Sequence, residues 1–71
     1  MDQKRDIHGH VVYGDNEAKD GLNYLDYDLK GDAAEAFFRQ AKQTGLAVFE
    51  DEHERRFSLT YKGGAYYMER T

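Results

Sequence analysis

The 71-residue chain has no cysteine and no proline, and Ser58 is its sole serine. Without cysteine, neither a disulfide nor a thiolate-bound metal can staple the fold. The missing thiols also fit a reducing compartment. Ser58 has no G-x-S-x-G or phosphate-loop glycine pattern around it, which leaves nucleophilic catalysis without a starting point. No apolar run approaches the ~20 residues that span a bilayer. The opening MDQKRDIHGH is charged and lacks the apolar segment of a secretory leader. Repeats, low-complexity tracts and linkers are missing too. A cytoplasmic protein is expected, with no membrane segment, no cofactor and no enzymatic activity.

A chain of this length makes one domain near the lower size limit. Such domains bury only about 60% of the surface their unfolded chain exposes, and a single core then yields about 3–5 kcal/mol. Residues 6–71 are expected to form one small α+β domain, with residues 1–5 frayed.

The net charge of −4 is unevenly spread. Residues 15–35 carry seven acidic side chains against Lys19 and Lys30, whereas residues 55–71 carry Arg55, Arg56, Lys62 and Arg70 against Glu69. An acidic surface beside a mildly basic one argues against general polyanion binding and permits a basic protein partner. The acidic stretch also admits mimicry of nucleic-acid charge, on charge count alone.

The clearest element is a helix over about 33–44. Ala34, Phe37, Phe38 and Ala41 follow i, i+3, i+4, i+7 and make one apolar stripe. Glu35 and Arg39 form an i, i+4 pair. Gly45 is a left-handed stop, after which Leu46 can close the apolar contact of a Schellman motif.

Everything beyond Gly45 reads as strand. LAVFED is a short apolar run, and DEHER after it is a polar loop. Phe57, Leu59 and Tyr61 alternate with Arg56, Ser58 and Thr60. Gly63-Gly64 suits a two-residue turn with positive φ at both positions. That turn pairs Lys62 with Ala65, Tyr61 with Tyr66, Thr60 with Tyr67 and Leu59 with Met68. Tyr66 and Met68 then share a face with Phe57, Leu59 and Tyr61, so turn and pattern agree.

In the N-terminal half, IHGHVVYG reads as one strand. LDYDLK reads as a second, with Leu25, Tyr27 and Leu29 alternating against Asp26 and Asp28. A short helix over 16–25 competes, with Gly21 in its interior counting against it. The expected architecture is β-β-α-β-β-β, a small antiparallel sheet with one amphipathic helix packed on one face.

Several constellations invite a functional reading. DYDLKGDAAEAF, residues 26–37, places Asp26, Asp28, Gly31 and Asp32 at positions 1, 3, 6 and 7 of a calcium loop. Position 5 is Lys30 and position 12 is Phe37, where the loop needs oxygen ligands. A helix start explains the run better, with Asp32 as N-cap and Glu35 completing a capping box. His8 and His10, two apart on a strand, would project from one face and could hold a metal, but a third ligand must come from elsewhere. EDEHERR clusters acids around His53 at an exposed loop, without the rigid frame that tunes a catalytic carboxylate.

The tyrosines are more informative. Tyr61 and Tyr66 belong to the core, with hydroxyls reaching its rim. Tyr67 lies on the opposite face beside Thr60, near Arg56, Lys62 and Arg70. Tyrosine and arginine are enriched at protein interfaces, and such a face can also stack single-stranded bases. The expected function is therefore a small non-catalytic protein-binding or regulatory module. It acts through the solvent face of the C-terminal meander at Arg56, Thr60 and Tyr67. Single-stranded nucleic-acid binding by the same face and metal binding at His8 and His10 are the alternatives. With so little core, homodimerisation through an edge strand or that face would add burial.

Overall fold

The computed structural model describes residues 3–71. Five strands, β1 (Gln3–Ile7), β2 (His10–Gly14), β3 (Leu46–Glu50), β4 (Arg56–Lys62) and β5 (Ala65–Arg70), form one sheet in the order β1-β2-β5-β4-β3. Between β2 and β3 run a 3-10 turn at Asn16–Ala18, the short helix α1 (Lys19–Asn23), a π-helical turn at Tyr24–Asp28 and the long helix α2 (Gly31–Thr44). The class is α+β, with the helices on one face of the sheet. Among the described residues no helix is long and apolar enough to cross a membrane.

The C-terminal half follows its turn chemistry. Gly63 and Gly64 have φ of +61° and +87°, and the register pairs Lys62 with Ala65, Tyr61 with Tyr66, Thr60 with Tyr67 and Leu59 with Met68. One face of this ribbon buries Phe57, Leu59, Tyr66 and Met68. Helix α2 lies over it with Ala34, Phe38 and Ala41 buried and Phe37 half-buried against Phe49. The helix ends as expected at Gly45, whose φ is +88° and whose N–H donates to the Ala41 carbonyl at 2.7 Å.

Its start differs. Lys30 is the N-cap and Gly31 the first helical residue, so Asp32 falls inside the first turn and its carboxylate accepts from Ala33 N–H. The capping box does not form because Glu35 is turned to His10 instead. Asp32 still places negative charge at the positive helix end. Leu46 makes no Schellman contact either, since β3 carries it to the far face of the sheet, half-exposed.

The N-terminal half departs further. IHGHVVYG is not one strand. Ile7 pairs with His10 across a two-residue turn, in which His8 and Gly9 have φ of +52° and +85°. Gly9 N–H donates to the Asp6 carboxylate at 2.9 Å, which closes the turn although its first residue is not glycine. β1 already begins at Gln3; of the stretch expected to fray, Met1 and Asp2 lie outside the described residues. The strand expected at LDYDLK is instead a π-helical turn through Asp28, with Leu29 and Lys30 leading into α2. Leu25 is buried, Leu29 half-buried and Tyr27 74% exposed, so the alternation does not mark a sheet face. The operative pattern is Ala18, Leu22 and Leu25, all buried, at the i, i+4, i+7 spacing of a helix.

Gly21 permits this helix. A Cβ there would lie 2.7 Å from Met68 Sδ and from the Phe57 ring, so its absence lets α1 lie directly on β4 and β5. The sheet is also not wholly antiparallel. β2 and β5 run parallel at its centre, pairing Val12 with Tyr66, Tyr13 with Tyr67 and Gly14 with Met68.

Candidate functional site

Among the described residues the helices cover one side of the sheet and leave the other bare. Cross-strand partners share a face, so the register sets Leu46, Thr60, Tyr67, Tyr13 and Lys4 in one row running from β3 to β1. Beside it, Val48, Ser58 and Glu69 form a second row. Leu46, Val48 and Tyr67 are 46%, 47% and 39% exposed. The rings of Tyr13 and Tyr67 stack at 5.4 Å with 19° between their planes. An open depression next to Tyr67 is lined by Thr60, Tyr61, Lys62, Gly63 and Glu69.

Of the three residues expected to carry binding, Thr60 and Tyr67 stand directly opposite each other. The Thr60 hydroxyl donates to the Tyr67 carbonyl at 3.3 Å. Arg56 is on the same face but four residues along β4, about 13 Å away at strand spacing, and its guanidinium is bound to Glu50 at 3.0 Å. Arg70 has the register of Phe57 and so the parity of the covered face. The cations near Tyr67 on this face are Lys62, two residues along β4 from Thr60, and Lys4, in the same row two strands away. The residues sequence reasoning missed are Tyr13, Leu46 and Val48. Tyr13 reaches the row only through the parallel pairing of β2 with β5. For β3 a signal existed, because Leu46 and Val48 alternate with Ala47 and Phe49.

The histidines are not a pair. His8 lies in the β1–β2 turn, where its Nε2–H donates to the Leu25 carbonyl at 3.0 Å. His10 lies in β2, and its Nε2–H donates to Glu35 Oε2 at 2.7 Å. A carbonyl and a carboxylate only accept, so both Nε2 atoms carry hydrogen and offer no lone pair to a metal. Among the described residues no three His, Asp or Glu side chains are placed to hold an ion.

The EDEHERR loop is ordered from within. Asp51 Oδ1 accepts from the backbone N–H of His53 and of Arg55, each at 2.9 Å. Its Oδ2 accepts from Arg55 Nε at 2.6 Å. Arg55 then reaches Asp20 of α1 at 2.8 Å. Burial raises the Asp51 pKa, but the backbone and side-chain donors of Arg55, the His53 N–H and the Arg55 charge together bring it below the usual 3.8. The loop is a structural clasp between the β3–β4 connection and α1. Compared with protein-family models, with curated proteins and with solved structures, the chain matches none of them.

Proposed function

We propose that this protein is a non-catalytic module that binds another protein through the uncovered face of its sheet. The observation that carries this reading is the row Leu46–Thr60–Tyr67–Tyr13 flanked by Val48, where stacked aromatic rings and half-exposed aliphatic side chains lie side by side with no helix above them. Contiguous apolar surface of this kind, rimmed by polar groups, marks interaction sites, and tyrosine supplies large contact area at low entropic cost. The rim is balanced in charge. Lys4, Arg56 and Lys62 share the parity of Asp6, Glu50 and Glu69, which favours a protein partner over a nucleic-acid backbone that needs net positive charge. Ser58 lies on this face, across the sheet from the His10–Glu35 pair.

The test compares proteins retained from an extract of the native host by the wild type and by Tyr67→Glu. Tyr27→Ser, on the opposite side of the molecule, serves as control. Loss of the same partner from Tyr67→Glu alone supports the reading. Equal retention by all three forms contradicts it.

One observation also supports self-association at the border of this face. Among the described residues β3 pairs only with β4, and both backbone groups of Leu46 meet the Thr44 hydroxyl and not β4, its carbonyl accepting at 2.9 Å and its N–H donating at 3.4 Å. By strand alternation the N–H and C=O of Val48 and Glu50 point the same way, out of the sheet. The edge carries no lysine, proline or bulge to blunt it. A second β3 related by a two-fold axis at Val48 would set Leu46 against Glu50 and bring no like charges together.

A further inference from the structure

On the helix-covered side, a cleft of about 330 Å3 opens between α2 and the β4–β5 turn, lined by His10, Glu35, Arg39, Lys42, Tyr61, Gly64 and Tyr66. We infer that this cleft is a binding site for a small phosphate-class anion, either free phosphate or a phosphate monoester. Three features carry the assignment, and none involves the bare sheet face.

The first is charge left over. Glu35 would be the i, i+4 partner of Arg39 on α2, but its carboxylate is bound to the His10 imidazole at 2.7 Å. Among the described residues neither Arg39 nor Lys42 has a carboxylate within ion-pair distance. Two cations one helical turn apart therefore face one carboxylate that is already engaged, in a protein whose net charge is −4. Lys42 Nζ lies 5.9 Å from the centre of the Tyr61 ring, which holds it over the cleft.

The second is an unused donor. Tyr66 is 4% exposed and lines the cleft; no buried side-chain oxygen among the described residues lacks a hydrogen-bond partner, so its hydroxyl, which bonds to no described residue, is reached by solvent. Burial, with the neighbouring Tyr61 and Glu35 charges, raises the Tyr66 pKa above 10.0, so the hydroxyl keeps its proton and can donate to an oxyanion.

The third is rigidity. The His10 ring is stacked on Phe38 at 4.4 Å and meets the edge of Tyr66 at 5.4 Å. Glu35 holds it from the third side, so the floor is preformed. Arg39, Lys42 and Tyr66 line one cleft, and a guanidinium, an ammonium and a phenol match the several acceptor oxygens of a phosphate better than the two of a carboxylate. A volume at the lower end of the ligand-pocket range fits a phosphate bearing a few carbon atoms.

Two-dimensional NMR titration of the wild-type protein at low ionic strength, with inorganic phosphate, glycerol 1-phosphate and succinate in separate arms, tests this. Saturable shifts at the Tyr66 and His10 rings and the Arg39 side chain are expected with one or both phosphate probes, and the tighter of the two identifies the source. Arg39 and Lys42 are exposed, so Arg39→Gln with Lys42→Gln should fold normally and bind about tenfold or more weakly. Tyr66→Phe should weaken binding while keeping the His10 ring shifts of the free protein. The assignment is overturned by an absence of saturable shifts with both phosphate probes, by an equal response to succinate, or by undiminished binding in the double variant.

Discussion

Gly21 and Asp51 carry more of the structure than their chemistry suggests. At Gly21 even a methyl group must displace the Phe57 ring and the Met68 sulfur, both in the packed core. Overpacking of this kind costs about 1–3 kcal/mol, so Gly21→Ala should lower the urea midpoint by a corresponding amount. The cost of glycine in a helix is real, but here close approach to the sheet outweighs it. That is why the residue that argued against a helix on propensity grounds turns out to enable one. At Asp51 the folded pKa is depressed, so its stabilising contribution is present above the ordinary carboxylate pKa and fades as pH falls through the folded value. Asp51→Asn should therefore melt below the wild type at neutral pH, and the gap should narrow below about pH 4 in thermal melts across a pH series. A sequence shows that Asp51 is charged. It does not show that three donors meet at it, since one of them belongs to a side chain four residues away that also grips α1.

Elements whose signals are local were legible. The Gly63-Gly64 turn determines the pairing of β4 with β5 and hence which tyrosines are inside. Gly63→Asn should leave stability within about 0.5 kcal/mol, because asparagine tolerates positive φ, whereas Gly64→Ala should cost about 1 kcal/mol in the same melts. The apolar stripe of α2 and its glycine stop were equally plain. The β1–β2 turn was not, because His8 takes a positive φ at a position where the two-residue hairpin turn favours asparagine, aspartate or glycine. The π-helical turn at Tyr24–Asp28 was misread for a related reason: leucine, tyrosine and leucine at alternate positions imitate a strand, while the true partners of Leu25 lie three and seven residues earlier. For β3, the exposed edge leads to a prediction at this scale. The Val48 N–H faces away from β4, so Val48→Pro should spare the sheet and abolish self-association. Light scattering on both forms up to about 1 mM checks this, and unchanged scattering would exclude the edge as the contact.

At the scale of the molecule, the pairing of β2 with β5 joins residues more than fifty positions apart, and no turn announces it. This contact brings Tyr13 beside Tyr67, so the full width of the candidate face was hidden even though its centre, Thr60 opposite Tyr67, followed from the hairpin alone. Arg56 was grouped with them because strand parity reports the face and not the distance along it. The central claim is that the five-stranded sheet has one side packed under helices and the other open. Solvent paramagnetic relaxation with a neutral gadolinium chelate, measured on dilute protein, tests this most directly. The methyl groups of Leu46 and Val48 should broaden strongly, with those of Leu59 and Met68 protected. Equal protection of both sets would contradict it, because the outer face would then be covered by the chain itself.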